Sequence, residues 1–205
     1  MIFERFSVPG LSQYSYIVGE GDTVAVIDPK RDIDTYLDYA DSRGLRIRYV
    51  LETHIHADFA SGARALAAAS GADLCLSGHD EGEAHSYAFA HEELRDGDEL
   101  ALGAMTLRTI HTPGHTPEHI SFLLFEPSRS CEPLALFSGD FLFVGSVGRP
   151  DLLGETEKQR LARALYASVR NLENLPDGTV VFPGHGAGIL CGAGLSQREA
   201  VDPWL

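Results

Sequence analysis

The sequence THIHADF at residues 53–59 decides how this chain is interpreted. It follows residues 47–51, an apolar and β-branched run that is typical of a buried strand. His54, His56 and Asp58 alternate along it, and an extended or loop backbone turns alternate side chains to the same side. Two imidazoles and a carboxylate placed in this way can bind one metal ion. The stretch therefore predicts a polar site where a strand ends in a loop.

Three more polar residues occur downstream in glycine-containing contexts, each after a predicted strand. They are His115 in TPGHT, Asp140 in SGD and His185 in PGHG. Any one of them alone is more typical of a hydrogen-bonded loop histidine or a turn aspartate. Together with the first motif they favour a site assembled from several loops, because neighbouring glycines let the backbone turn sharply and present a side chain inward.

The rest of the chain predicts a mixture of short strands and a few helices. Strands are predicted at residues 15–18, 24–27, 47–51, 73–76, 105–110, 120–125, 134–137 and 179–182, and helices at 33–42, from about 61 onward, and at 157–169. This order indicates an α+β protein in which two sheets pack face to face with helices outside. We expect a single domain over residues 1–205, since no linker or repeat interrupts the pattern.

Composition and charge exclude several classes of partner. A net charge of −14 with no compensating basic cluster argues against nucleic acid and anionic lipid. No apolar run approaches the length of a membrane span, and no signal peptide is recognised. Three irregularly spaced cysteines do not form a disulfide framework. We therefore expect a cytoplasmic protein with no nucleic-acid or membrane partner.

The four motifs HxHxD, GHT, SGD and PGHG, in that order over about residues 50–190, resemble the metallo-β-lactamase superfamily. The resemblance implies a four-layer αβ/βα sandwich with its metal at one edge of the two sheets. In dinuclear hydrolases of the superfamily, such as the glyoxalase II-like thioesterases, the first motif is HxHxDH. Here Phe59 stands at the last position, and a phenyl ring has no lone pair to offer a second metal.

The wider sequence around these motifs is similar to bacterial persulfide dioxygenases, relatives of the ethylmalonic encephalopathy protein and of dioxygenase–rhodanese fusions. This resemblance implies that His54, His115 and Asp140 are the catalytic metal ligands. His56, Asp58 and His185 would then orient those ligands or hydrogen-bond water and substrate. Two histidines and one carboxylate with open positions are also the ligand set of non-haem Fe(II) enzymes.

The implied activity is oxidation of a low-molecular-weight thiol persulfide, such as glutathione persulfide, by O2 to sulfite and thiol. The implied cofactor is one Fe(II) per chain, with zinc as the alternative. The partners implied are the persulfide, O2 and a rhodanese-type sulfurtransferase; a homodimer is also considered, but the sequence does not fix the oligomeric state. Two alternatives stay open: a glyoxalase II-like zinc thioesterase, and a non-catalytic metal sensor or module of a sulfur-transfer protein.

Two residues are considered for substrate binding. Cys191 lies in a glycine-rich stretch after His185, where it either contacts a persulfide sulfur or serves as a small packing residue. Arg149 either meets a substrate carboxylate or pairs with Asp151 to brace its loop. His111 and His119, on either side of the GHT motif, are open in the same way between supporting a ligand and being solvated histidines.

Overall fold

Two β-sheets form the centre of the structure, a computed structural model that describes residues 1–8, 10–79 and 87–186. The first sheet contains β1 (Ile2–Val8), β2 (Gln13–Glu20), β3 (Thr23–Ile27), β4 (Arg46–Leu51), β5 (Asp73–Ser77) and β6 (Glu92–Leu94), in that spatial order. The first three strands pair in antiparallel fashion, and β3 to β6 pair in parallel. Parallel pairs need crossover connections, and two helices supply them between β3 and β5.

The second sheet has five strands in the order β13-β10-β9-β8-β7. Its strands are β7 (Glu99–Leu102), β8 (Met105–His111), β9 (Ile120–Phe125), β10 (Ala135–Gly139) and β13 (Val180–Pro183). A small ribbon of β11 (Leu142–Phe143) and β12 (Ser146–Val147) follows β10. Only the β10–β13 pair in this sheet is parallel, so the ends of these two strands lie together at one edge.

The core lies between the two sheets and follows the two-residue period of the strands. In β2, Tyr16 and Val18 face the inner core, whereas Ile17 faces the opposite side of the sheet. From the second sheet, Leu107 and Phe122 fill the same inner core. Because both faces of β2 are buried, its sequence is a near-continuous apolar run. This run is the signal from which the strand was predicted.

Helices cover the outside of this pair of sheets. α1 (Asp34–Asp41) and α2 (Ala63–Ser70) pack on the outer face of the first sheet. α3 (Glu155–Asn171) lies against the β8–β9 loop, where the Ser168 hydroxyl donates a hydrogen bond of 2.8 Å to the carbonyl of Pro113. Among the described residues, no helix has the length and apolarity needed to cross a bilayer.

The structure confirms the α+β class and each predicted strand and helix, with small shifts of boundary. α2 begins at Ala63 instead of near Ser61, because Ser61 forms a β-bridge with Lys30. Strands β1, β6 and β7 and the β11–β12 ribbon were not predicted. β6 is only three residues long with two glutamates, so its sequence carries no strand signal, and its pairing with β5 alone makes it a strand.

A substitution at Gly114 tests the contact between α3 and the loop that carries His115. Gly114 has φ +145°, and an added Cβ would lie 2.7 Å from the backbone nitrogen of Leu165. We expect Gly114→Ala to lower the free energy of unfolding by about 3 kcal/mol, because helix backbone cannot yield as a side chain can. Gly21→Ala is the control, since Gly21 has φ +64° but open space, and we expect a loss of about 1 kcal/mol. Urea unfolding of both variants measures the difference; equal losses would contradict the packing argument.

Candidate metal centre

Three of the predicted ligands converge at one edge of the two sheets. His54 follows β4 of the first sheet, whereas His115 lies in the β8–β9 loop and Asp140 follows β10 of the second. Each is at most 3% exposed. One nitrogen or oxygen atom from each lies within 4.8 Å of those of the others, which is close enough for one ion to bind all three. These residues form a His/His/Asp metal-binding site.

A short chain of hydrogen bonds sets the orientation of His54. The Thr53 hydroxyl donates its hydrogen to Oδ2 of Asp28 at 2.9 Å. Nδ1 of His54 lies 2.9 Å from the same hydroxyl oxygen and must therefore donate to it, since Thr53 has no second hydrogen. The proton is thus placed on Nδ1, and Nε2 keeps the lone pair that a metal needs.

The other two residues of the site also have the electronic form that a metal requires. Oδ2 of Asp140 lies 3.6 Å from Nε2 of His115 and accepts no hydrogen bond from any described residue. A buried carboxylate oxygen without a partner is costly, and a bound cation removes that cost. Burial lowers the pKa of both His54 and His115, so both rings are neutral and able to coordinate. The residues therefore fit a metal ion.

His185 lies between two carboxylates at the side of this site. Its Nδ1 is 2.7 Å from Oδ1 of Asp140, and its Nε2 is 2.7 Å from Oδ2 of Asp58. Burial by itself would lower the pKa of His185, but the two carboxylates outweigh it and raise the pKa to about 10. In the metal-free protein His185 is thus an imidazolium that occupies one oxygen of Asp140 and leaves the other free.

His56 is hydrogen-bonded to Asp28. Its Nε2 lies 3.1 Å from Oδ1 of Asp28, and its side chain is buried. Burial lowers the pKa of His56, while the charge of Asp28 and this hydrogen bond raise it, with a net rise to about 8. Nδ1 of His56 has no partner among the described residues. The ring lies 4.2 Å from that of His54 and 4.4 Å from that of Phe59, between centroids.

The structure decides the role of His119, which the sequence left open. His119 is fully buried, and its ring stacks on that of His54 with centroids 5.0 Å apart. The backbone N–H of Asp140 donates to its Nε2 at 3.2 Å, so Nδ1 donates to the Thr112 hydroxyl at 2.9 Å. Burial holds the pKa of His119 well below its usual range, in agreement with this neutral form. His119 therefore supports two residues of the metal site.

Sequence reasoning missed two acidic residues that organise the site. Asp28 has φ +51° and binds both Thr53 and His56, yet the sequence shows only an Asp-Pro turn. Glu118 is fully buried, and its Oε1 accepts the backbone N–H of Ile55 at 2.9 Å, which ties the first motif to the GHT loop. No sequence signal separates Asp28 from an ordinary turn aspartate, because its burial and its hydrogen bonds to Thr53 and His56 arise only in the fold.

The remaining predicted residues are placed as follows. Arg149 forms two hydrogen bonds to Asp151, of 3.0 and 2.9 Å. These bonds correspond to the alternative in which Arg149 stabilises its own loop. Cys191 lies outside the described residues. His111 stacks on His79 with ring centroids 3.7 Å apart, and it is not among the three residues whose ligand atoms converge.

Comparisons with known proteins agree with this arrangement. The Metallo-beta-lactamase superfamily profile matches residues 8–185, and the chain belongs to this superfamily. A probable metallo-hydrolase of Burkholderia pseudomallei is 33% identical over 90% of this chain and 72% of its own length. A hydroxyacylglutathione hydrolase of Rhodospirillum rubrum is 37% identical over 78% of this chain, which spans 56% of that enzyme.

Similar solved structures come from several branches of the superfamily. A metallo-beta-lactamase from Staphylococcus aureus is 39% identical with a TM-score of 0.87, over 95% of this chain and 58% of its own. ETHE1 from Myxococcus xanthus is 30% identical with a TM-score of 0.76, over 94% of this chain and 79% of its own. TTHA1623, solved in a di-iron-bound form, is 29% identical with a TM-score of 0.69, over 98% and 100% of the two chains.

Matched aspartate substitutions test the metal site. We expect Asp140→Asn to weaken binding of one equivalent of metal at least about 100-fold, because an amide oxygen lacks the negative charge of the carboxylate. Asp151→Asn is the control, since Asp151 pairs with Arg149 outside the site and should leave metal affinity unchanged. Calorimetric titration of the metal-free proteins measures both. Equal affinities in the two variants would exclude Asp140 as a ligand.

The Asp58–His185 contact predicts a pH dependence in the metal-free protein. Because the folded pKa of His185 is raised to about 10, its contribution to stability is complete below the unfolded pKa of about 6.5 and is lost as the pH rises through about 10. We expect Asp58→Asn to cost about 1 kcal/mol at pH 6 and nothing above pH 10.5. Asp177→Asn, at an exposed position, is the control. Denaturant unfolding across this range measures the difference; a cost that does not change with pH would contradict the ion pair.

Proposed function

We propose that this chain is a mononuclear non-haem Fe(II) persulfide dioxygenase that oxidises a low-molecular-weight thiol persulfide, such as glutathione persulfide. The observation that carries the proposal is Phe59, which stands where the dinuclear branch has a metal-binding histidine. The structural likeness to ETHE1 of Myxococcus xanthus supports the same branch. The di-iron form of TTHA1623 supports iron as a metal that this fold can hold.

Under this proposal, His54, His115 and Asp140 would hold the iron. When bound, the iron supplies the redox chemistry between persulfide sulfur and O2. In the overall reaction one persulfide, one O2 and one water give the thiol, sulfite and two protons. The sulfur–sulfur bond breaks, the outer sulfur is oxidised to sulfite and O2 is reduced.

The supporting residues keep this ligand set in place. His185 occupies Oδ1 of Asp140 at 2.7 Å, and Oδ2 has no partner among the described residues and would be able to bind the metal. The Asp28–Thr53 pair keeps Nε2 of His54 unprotonated. Ligand atoms held in this way need little rearrangement when the metal binds, and hydrogen-bonded supports of this kind tune metal affinity. A rhodanese-type sulfurtransferase is the partner that would exchange sulfur with this reaction.

The second candidate is a zinc-dependent thioester hydrolase of the glyoxalase II type. It is favoured by the curated relatives named hydroxyacylglutathione hydrolase, at 37% identity. In that reaction a bound zinc would activate water for hydrolysis of the thioester. Phe59 counts against it, because the position offers no ligand to a second metal.

Oxygen uptake by the iron-loaded protein tests the proposed function. Protein purified without oxygen and loaded with one equivalent of Fe(II) should consume O2 and release sulfite when glutathione persulfide is added. Zinc-loaded protein and the Asp140→Asn variant are the controls, and both should be inactive. Absence of O2 uptake by the iron protein would contradict the proposal. Turnover of lactoylglutathione by the zinc-loaded protein would favour the hydrolase, and absence of both activities would favour a sensor.

Substitution of Phe59 tests the metal stoichiometry. We expect the unaltered protein to bind one metal per chain, and Phe59→His to bind two, because the new imidazole joins Asp58 and His185 beside the first ion. Phe59→Leu is the control that removes the ring without adding a ligand, and it should still bind one. Elemental analysis after dialysis measures the ratio. Two metals bound by the unaltered protein would contradict the mononuclear site.

A further inference from the structure

Two histidine rings outside the metal site stack face to face. The centroids of the His79 and His111 rings lie 3.7 Å apart, and the ring planes differ by only 3°. His79 follows β5 of the first sheet, whereas His111 is the last residue of β8 in the second. Both residues are half-buried, so protons from the solvent can reach their rings. The stack therefore joins the two sheets through a pair of titratable groups.

Hydrogen bonds assign the proton on each ring. The backbone N–H of Asp96 donates to Nε2 of His79 at 3.2 Å, so this nitrogen keeps its lone pair and Nδ1 carries the proton. Nε2 of His111 lies 3.0 Å from the carbonyl oxygen of Pro117 and must donate to it. The neutral form of His79 thus fits its surroundings, because a proton on Nε2 would face the N–H of Asp96.

Asp96 and Pro117 connect the stack to the loop that carries His115. Oδ1 of Asp96 accepts the backbone N–H of His111 at 2.8 Å, so one residue holds both members of the stack. Pro117 lies two residues after the metal ligand His115, in the β8–β9 loop. The His111 ring ties this loop to the end of β8 through the Pro117 carbonyl. The orientation of His111 is therefore a support of the loop that presents a metal ligand.

Charged groups of both signs act on His79. Burial is the largest cause that lowers its pKa, and His111 and Arg95 lower it further, while Asp96 and Asp98 act in the opposite direction. The net result is a pKa below the usual value, so His79 is neutral at pH 7 and is protonated only in acid. Because the unfolded chain takes up this proton first, the folded protein loses stability as the pH falls below about 6.5.

We propose that the His79–His111 stack is an acid-sensitive support of the metal site. In the neutral protein the stack and its hydrogen bonds hold the β8–β9 loop, and with it His115, against the end of β5. A proton on Nε2 of His79 places two donors opposite each other, so the bond from Asp96 is lost. His79 then no longer fixes the ring that holds Pro117, and metal affinity falls. The inference goes beyond the proposed function, because it holds for any metal at this site.

Two substitutions of opposite charge beside His79 test this support. We expect Asp96→Asn to move the midpoint of acid-induced zinc release to lower pH by about 0.3 pH unit, because it removes a charge that favours the protonated ring. The new side chain keeps an oxygen for the His111 N–H. Arg95→Gln should move the midpoint to higher pH, since it removes a repelling charge and frees Glu93 from its ion pair. Acid titration of the zinc-loaded proteins with a colorimetric chelator measures both. Shifts in the same direction, or no shift, would overturn the inference.

Replacement of His79 by a ring that cannot take up a proton isolates the titration. His79→Phe keeps an aromatic ring on His111, and we expect its rate of zinc release to rise at least about tenfold less between pH 7.5 and 5.5 than that of the unaltered protein. His91→Phe is the matched control, because His91 is also half-buried but donates to the carbonyl of Phe89. Circular dichroism melting at pH 7.5 shows that each variant is folded. An equal rise in the His79→Phe and unaltered proteins would overturn the proposal.

Nitrogen-15 NMR of the imidazole rings tests the coupling in the metal-free protein. At pH 7.5 we expect His79 to carry its proton on Nδ1 and His111 on Nε2, and the signals of both rings to change together as the pH falls. A His79 ring that titrates while the His111 signals stay unchanged would overturn the coupling. The measurements on this stack need neither iron nor O2. Their failure is therefore distinguishable from failure of the oxygen-uptake test.

Discussion

The carboxylate of Asp140 is the group on which the rest of this structure depends. It is buried where the two sheets meet, and burial of a charge is unfavourable unless each oxygen is paired. His185 pairs with Oδ1, but Oδ2 has no hydrogen-bond partner among the described residues and lies 3.6 Å from His115. A cation bound at this point would remove the imbalance, so metal binding would stabilise the folded protein.

The imidazoles around Asp140 are oriented by hydroxyl groups that link them to the two sheets. Thr53 connects His54 to Asp28 at the end of β3, and Thr112 connects His119 to Ser121 in β9. Each hydroxyl has one hydrogen to donate, so its partners decide which ring nitrogen carries the proton. The tautomers are thus determined by strands that lie behind the site, because those strands hold the hydroxyls in place.

Both candidate reactions use the same ligand set, and one side chain separates them. Phe59 contacts His56, with ring centroids 4.4 Å apart, at the position where a second metal would need a ligand. Asp58, the neighbour of Phe59 in the sequence, pairs with His185. An apolar ring next to a residue that is already in an ion pair offers no free ligand to a second metal, which supports the proposed single metal.

Most strands and the main helices could be predicted from the sequence, because apolar periodicity is a local signal. The HxHxD motif and the glycine-containing motifs around His115, Asp140 and His185 indicated candidate site residues, and the resemblance to persulfide dioxygenases implied which three of them are ligands. Asp28, Glu118 and the pairing role of His119 could not be found, since a buried hydrogen bond joins residues far apart in the chain. The stacking of His79 on His111 was equally hidden, because it exists only where the end of β5 approaches the end of β8. Sequence determined which groups are present, and tertiary packing decided which of their atoms are paired and which remain free to bind.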